Sequence, residues 1–165
     1  MAYHEWGSAD NERVVVCVHG LARNSRDFDH LARVLAREYR VICPDIVGRG
    51  ESDWLANGQG YGIPQYMNDI TTLLARLNVD TVDWVGTSMG GLIALGLQGA
   101  QAMSALLRPA RPGPGLGAEP LQLPLGRVVL NDVGPALDMT GLQRISEYVG
   151  QSTHVAGTLD VVLAS

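Results

Sequence analysis

Four short apolar runs rich in β-branched residues recur along the chain and limit the folds open to it. They are Arg13–Val18 (RVVVCV), Tyr39–Asp45 (YRVICPD), Val82–Gly86 (VDWVG) and Arg127–Pro135 (RVVLNDVGP). Segments with helical spacing of apolar residues separate the first three, and strands that alternate with helices in this way pair in parallel. Because the runs show no polar alternation, both faces of the sheet should be covered. The pattern predicts an α/β fold, a mostly parallel sheet with helices on both faces.

The segments between the first three runs are predicted to be helices. In the first segment Ser25 can cap the N-terminus, and Phe28, Leu31 and Leu35 fall on one face. In the second segment Pro64 suits the first helical turn. The apolar residues after it recur at intervals of three and four, and they are Met67, Ile70, Leu74 and Leu77.

Two regions depart from this alternation. Five of the eight prolines lie between Pro109 and Pro124. A segment so rich in proline forms neither a helix nor a central strand, so residues 109–124 are predicted to be an exposed insert. After Pro135 the spacing of apolar side chains is that of a short helix, with Leu142, Ile145 and Val149 facing inward. We expect residues 1–135 to form a core that contains the insert, and residues 136–165 to begin a separate helical region.

Charge and composition argue against several kinds of partner and site. The twelve basic side chains are all arginine and the net charge is -5, so no basic surface is indicated for nucleic acid or for a membrane. No apolar run reaches the roughly 18 residues that span a bilayer, and the first ten residues lack a signal-peptide pattern, which predicts a cytoplasmic protein. Cys17 and Cys43 lie inside apolar runs and are expected to be buried free thiols. No Cys/His cluster indicates a metal site.

A polar residue interrupts the apolar sequence at Ser88, where Gly86-Thr87-Ser88-Met89-Gly90 matches G-x-S-x-G. The match alone is weak, but a strand-like run ends at Gly86 and a helical segment follows, which is the strand–turn–helix context that the motif requires. Glycines on either side let strand and helix approach closely, while the serine takes a strained conformation that projects its hydroxyl. Ser88 is therefore predicted to be a nucleophile; the alternative is a helix-capping serine in a tight connection.

A second element of the same chemistry is the pair His19-Gly20, which closes the first run. When a serine attacks an acyl carbon, two backbone N–H donors are needed for the oxyanion. One lies just after the nucleophile and one in the loop after an earlier strand. Met89 and Leu21 occupy these two positions. His19 can be interpreted as a base, but a histidine held before a glycine at a strand end is more typical of a structural role, and we assign it to shaping the loop.

These stretches resemble the α/β-hydrolase superfamily, and more specifically its lid-bearing bacterial esterase-like members. The resemblance extends over nearly the whole chain, through HGLARN (19–24), PDIVGRGESD (44–53), VGTSMGG (85–91) and VVLNDVGP (128–135). It implies a serine hydrolase that needs no cofactor and acts on a small-molecule carboxylic ester or a related acyl compound. In the second stretch Gly48 and Gly50 are interpreted as turn glycines, because a dinucleotide-binding fingerprint needs a third glycine and a P-loop needs a lysine.

The remaining parts of the family's catalytic apparatus are less evident. The resemblance implies a carboxylate and a histidine after the serine, yet the only histidine after Ser88 is His154, in the predicted start of the lid. Asp132 either orients a histidine or accepts backbone hydrogen bonds at the end of its strand. We therefore expect the N-terminal portion of a hydrolase, which should self-associate through an open sheet edge at the Arg127–Asp132 strand. The alternative is a non-catalytic α/β-hydrolase-like binding domain or a truncated pseudoenzyme.

Overall fold

A computed structural model of the protein describes residues 1–107 and 125–134, together with Thr140 and Gln143. The chain divides into two compact units, Met1–Gly134 and Pro135–Ser165. The two described residues of the second unit are helical and exposed. The predicted insert over residues 109–124 and the predicted helix with Leu142, Ile145 and Val149 lie outside the described residues.

Five strands of the first unit form one sheet in the order β1-β3-β2-β4-β5. Their bounds are Tyr3–Trp6 (β1), Val14–Val18 (β2), Arg40–Pro44 (β3), Val82–Thr87 (β4) and Leu125–Asn131 (β5). β1 is antiparallel to β3, and all the other pairs are parallel. The predicted fold class is confirmed, and the four predicted runs are the four parallel strands.

The helices follow the strands as the alternation predicts. A 3₁₀ turn at Ser25–Phe28 leads into α1 (Asp29–Leu35), and a second 3₁₀ turn covers Gly58–Gly60. α2 (Ile63–Arg76) and α3 (Met89–Leu107) follow along the described part of the first unit. Pro64 lies in the first turn of α2, as predicted. Within the described part of the chain, no helix combines the length and the apolar character needed to cross a bilayer.

The first predicted helix differs from expectation in its cap and in its buried face. The side chain of Asn24 caps the 3₁₀ turn, whereas Ser25 is itself buried. Phe28 and Ala32 face the core, and Leu31 is exposed. The segment begins with a turn of three residues rather than 3.6, so the inward face follows a different set of positions from a regular α-helix.

Two apolar cores cover the two faces of the sheet unequally. α2 and α3 bury one face around Trp84, Ile70 and Ile93, and α1 with its 3₁₀ turn buries the other around Phe28. Every residue of β2 and β3 is buried, and the free thiols of Cys17 and Cys43 lie in the second core, as predicted. Within the described residues β5 is less covered than the other parallel strands. α1 packs over β2 and β3 and does not extend to β5, which leaves Val129 exposed.

Candidate active site

Two neighbouring strands bring the predicted site together at one edge of the sheet. β2 and β4 pair in parallel with Val18 opposite Gly86, so the chain leaves both strands side by side at their carboxyl ends. The loop after β2 then lies against the turn after β4. A Cβ atom built on Gly20 would be 3.8 Å from the Cβ atom of Ser88. Residues 68 positions apart in sequence thus meet because of strand order alone.

Ser88 occupies the turn between β4 and α3 in the left-handed backbone region, with φ of 49°. For a residue with a side chain this conformation costs about 1–3 kcal/mol and persists only where its surroundings impose it. The Ser88 N–H donates to the carbonyl of Asn131 in β5 at 2.8 Å, and the Ser88 carbonyl accepts from the N–H groups of Gly91 and Leu92 at 2.9 and 3.1 Å. The strained strand–turn–helix conformation predicted for Ser88 is therefore present.

The two glycines of the motif allow α3 to start against the sheet. A Cβ atom on Gly86 would lie 2.5 Å from the carbonyl of Gly90, and one on Gly90 would lie 2.1 Å from the carbonyl oxygen of Val18. These neighbours are backbone atoms, which cannot move aside as a flexible side chain can. The buried indole of Trp84 then fixes the start of the helix, since its Nε1–H donates to the Gly90 carbonyl at 3.0 Å.

The two amides predicted to bind an oxyanion have no acceptor in the described part of the chain. No hydrogen bond from the Leu21 N–H or from the Met89 N–H occurs among the described residues. Met89 is the first residue of α3, where helix geometry leaves N–H groups without intrahelical partners and the helix dipole favours negative charge. Among the described residues, both N–H groups are thus without a hydrogen-bond acceptor. Their role as an oxyanion hole stays a prediction.

His19 is buried and uses both of its ring nitrogens within the fold. Nε2 lies 3.0 Å from the backbone N–H of Ile46, and Nδ1 lies 2.7 Å from the carbonyl oxygen of Gly20. An amide only donates and a carbonyl only accepts, so the ring is neutral, with its proton on Nδ1. Burial lowers the pKa of His19, despite the opposing effect of the bond to Gly20. With its free lone pair occupied, this histidine holds the loop and has no site to take a proton from Ser88.

Asp45, which sequence reasoning did not single out as a site residue, organises the loops behind the site. Its carboxylate accepts from the backbone N–H groups of Ser25 at 2.8 Å and of Glu51 at 2.9 Å. Burial tends to raise the pKa of Asp45, but these hydrogen bonds outweigh it and hold the pKa below its ordinary value. The turn-glycine interpretation is confirmed, since Gly48 and Gly50 have φ of 79° and 54°, and a Cβ on Gly50 would meet the Asp45 carboxylate. In the sequence, the signal that could have identified Asp45 is its position between an apolar strand and a glycine turn.

The histidine and carboxylate of a proton relay are not brought to Ser88 within the described residues. Asp132 follows β5 in a left-handed conformation with φ of 59° and is exposed, and no described group donates a hydrogen bond to its carboxylate. The Nδ1 of His4 is 3.0 Å from the hydroxyl of Ser25, and His30 is exposed on α1. His154 lies outside the described residues. No hydrogen bond to the Ser88 hydroxyl occurs in the part of the chain that is described.

The strained serine and the helix that starts behind it have the strand–turn–helix arrangement that the G-x-S-x-G motif requires. Residues 13–97 match the model of the α/β hydrolase fold family. The chain belongs to the α/β hydrolase family. The matched residues span β2 to the middle of α3, so they include both the loop after β2 and the turn at Ser88. The resemblance to the α/β-hydrolase superfamily found in the sequence is confirmed.

Similar proteins extend well beyond the length of this chain. A 3-hydroxybutyrate-oligomer hydrolase of Cupriavidus necator is 49% identical over 150 residues, which are 91% of this chain and 44% of that protein. The crystal structure of an α/β hydrolase from Novosphingobium aromaticivorans has a TM-score of 0.71 at 35% identity and covers 90% of this chain and 45% of its own. A thioesterase domain from the curacin biosynthetic pathway, with a TM-score of 0.63 at 23% identity, shares the fold. The present chain therefore spans less than half the length of each of these three proteins.

Proposed function

We propose that this protein is a serine hydrolase of carboxylic esters, with Ser88 as the nucleophile and the Leu21 and Met89 amides as oxyanion donors. The observation that carries the proposal is the left-handed backbone of Ser88 at the start of α3, with the Gly20 loop against it. A capping serine needs no such strain, because an ordinary N-cap residue has extended backbone. The proposed partner is a small-molecule ester and the proposed location is the cytoplasm.

The chemistry follows from this placement. The Ser88 oxygen attacks the ester carbonyl carbon, and the carbonyl oxygen takes up negative charge as the tetrahedral intermediate forms. The amides of Leu21 and Met89, with the N-terminus of α3, stabilise that charge because they are fixed before the reaction begins. The alcohol then leaves, and water hydrolyses the acyl-serine. A proton acceptor for the serine hydroxyl is the one component that the described residues do not supply.

A specific acyl group is suggested by the relative from Cupriavidus necator, which is named for 3-hydroxybutyrate oligomers. Its identity of 49% extends over nearly the whole chain, including both stretches that form the candidate site. We propose esters of short hydroxy acids as the first substrates to test. Acylation of the Ser88→Cys variant by p-nitrophenyl 3-hydroxybutyrate, compared with its acylation by p-nitrophenyl butyrate, tests this choice, and faster acylation by the hydroxylated ester is expected.

A cysteine in place of the serine tests the site without a proton acceptor. In Ser88→Cys the thiol lies at the N-terminus of α3, which lowers thiol pKa values, and a thiolate is strongly nucleophilic without a base. The exposed Ser8→Cys variant is the matched control.

Acylation by p-nitrophenyl butyrate is followed by intact mass, and the two buried native thiols should contribute little background. Each acylation rate is divided by the rate of alkylation by iodoacetamide, a reaction that forms no oxyanion. We expect the ratio to be about 100-fold higher at position 88, the effect of one oxyanion donor. Equal ratios would favour the binding-domain alternative.

Turnover by the chain with its native serine is expected to be low. In a serine protease, loss of the histidine costs on the order of a million-fold in rate. Release of p-nitrophenol by the 165-residue chain should therefore be close to that of Ser88→Ala. Rapid turnover that Ser88→Ala abolishes and Ser8→Ala leaves intact would support the hydrolase and show that a base is present. The His154→Ala variant would then identify it.

A further inference from the structure

Arg49 connects the glycine turn after β3 to the loop that carries the predicted oxyanion donor. Its Nε donates to the carbonyl oxygen of Leu21 at 3.0 Å, across 28 positions of sequence. Its Nη1 donates to the Val47 carbonyl at 2.9 Å and to the Tyr66 hydroxyl at 3.1 Å. The guanidinium also lies 5.2 Å and 5.8 Å from the ring centres of Tyr66 and Tyr61, within cation–π range. The side chain is therefore held from several sides.

Two hydrogen bonds fix the backbone on either side of Leu21. The Gly20 carbonyl and the Leu21 N–H belong to one peptide plane, and Nδ1 of His19 holds that carbonyl at 2.7 Å. The next peptide plane contains the Leu21 carbonyl, which Arg49 holds. Because the two planes meet at the Leu21 Cα atom, fixing both of them fixes the φ and ψ angles of Leu21 and the direction of its N–H.

The loop has one backbone hydrogen bond of its own, from the Arg23 N–H to the Gly20 carbonyl at 3.2 Å, and it does not include the Leu21 carbonyl. Leu21, Ala22 and Arg23 are all exposed, and no described group holds the Leu21 N–H. The pairing of β2 with its neighbours includes Val18 but none of these loop residues. Arg49 thus supplies an anchor that neither the sheet nor the apolar core provides.

We propose that Arg49 is a positioning residue of the active site, which fixes the Leu21 peptide so that its N–H points to the developing oxyanion. The inference rests on the proposed function, since it assumes that Leu21 is an oxyanion donor. Arg49 also acts on the neighbouring histidine. Burial is the main reason why the pKa of His19 is lowered, and the positive charge of Arg49 adds to that effect. A neutral His19 in turn keeps Nε2 able to accept from Ile46.

The test compares two reactions of the thiol in the Ser88→Cys background. In acylation by p-nitrophenyl butyrate the thiolate sulfur bonds to the acyl carbon, p-nitrophenolate leaves, and the thiol proton passes to water. An oxyanion forms on the way, so the rate depends on the Leu21 amide. In alkylation by iodoacetamide the sulfur displaces iodide from carbon and no oxyanion forms. The ratio of the two rates therefore reports on the oxyanion site and cancels changes in thiol exposure or thiol pKa.

Arg49→Gln in this background should lower the ratio about ten-fold, less than removal of a whole donor, and leave the alkylation rate unchanged. Arg23→Gln is the matched control, since Arg23 lies on the same loop and pairs with Asp27 rather than with Leu21. It should leave the ratio unchanged. An Arg49→Gln ratio equal to that of the control would overturn the proposal.

A second variant keeps the proposal testable if Arg49→Gln does not fold. Arg49→Lys retains the charge, but a single ammonium group cannot bond to Leu21, Val47 and Tyr66 in the geometry of a guanidinium. We expect the ratio for Arg49→Lys to be at least about three-fold below that of the Ser88→Cys parent and above that of Arg49→Gln. An unchanged ratio in Arg49→Lys would also overturn the proposal. Failure of the proposed function would give a different result, because the ratio for Ser88→Cys with native Arg49 would then already equal the ratio for Ser8→Cys.

Discussion

At the scale of single residues, His19 makes the stability of the fold depend on pH. The folded protein holds the ring neutral, because a proton on Nε2 would face the N–H of Ile46. Unfolding returns the ring to water, where histidine has a pKa of about 6.5. Since the folded pKa is lowered by burial, the unfolded state binds more protons below pH 6.5. The contribution of His19 to the free energy of unfolding is therefore fully present above this pH and is lost as the pH falls.

We expect the free energy of unfolding to decrease by up to about 1.4 kcal/mol between pH 7.5 and pH 5.5 from this residue. Urea unfolding at pH 7.5, 6.5 and 5.5 measures the decrease, in a range above the ordinary titration of carboxylates. The His19→Asn variant should have a smaller free energy of unfolding at pH 7.5, and this free energy should no longer decrease toward pH 5.5. His30→Gln, at an exposed position on α1, should keep it. A decrease of the same size in His19→Asn would show that another group is responsible.

How far a site residue could be predicted depends on how far away its partners lie in the sequence. The Ser88 motif places glycines two positions to either side, so the elbow can be read from five letters. The acceptor of Arg49 is 28 positions away and the two donors to Asp45 are 20 and 6 positions away. The local sequence does not specify the contacts of Arg49 with Leu21 and of Asp45 with Ser25, because they form only when β2 and β3 lie side by side.

At the scale of elements, the close approach of α3 to the sheet can be tested with two glycines of the same helix. A Cβ atom on Gly90 would lie 2.1 Å from the Val18 carbonyl oxygen, whereas one on Gly99 would have no neighbour within 4 Å. Gly90→Ala should therefore destabilise the fold by about 3 kcal/mol. Gly99→Ala should stabilise it by about 1 kcal/mol, the usual gain from removing a helical glycine. Urea unfolding gives both values, and similar values for the two variants would contradict the packing described.

The elements themselves were predicted best where their pattern was regular. Ile70 and Leu74 are buried in α2, with Met67 and Leu77 packed against the same core, as the spacing predicts. The segment from Ser25 was less predictable, because its 3₁₀ turn changes the inward face. Ser25 is drawn inside by Asp45, which binds its backbone N–H. Propensity alone favours Ser25 as a cap, and a contact across the fold overrides it.

At the scale of the whole molecule, β5 lies at one edge of the sheet that the described strands form. It pairs with β4 on one side, and no other described strand lies beyond it. Its residues are only partly covered, and Val129 is 54% exposed. The covering expected for a parallel strand is thus incomplete among the described residues.

An edge of this kind should make the isolated chain self-associate, since N–H and carbonyl groups that no described strand pairs with can pair with those of another molecule. We expect size-exclusion chromatography with light scattering to show species larger than a monomer, in proportions that rise with protein concentration. Val129→Lys should shift the population toward monomer, because a lysine on an edge strand opposes pairing. Val34→Lys is the matched control, as Val34 is 52% exposed on α1, away from the edge. It should leave the association unchanged.

A sharp monomer peak for the unmodified chain at all concentrations would contradict the prediction. Equal effects of the two lysine substitutions would assign the association to general surface hydrophobicity rather than to β5.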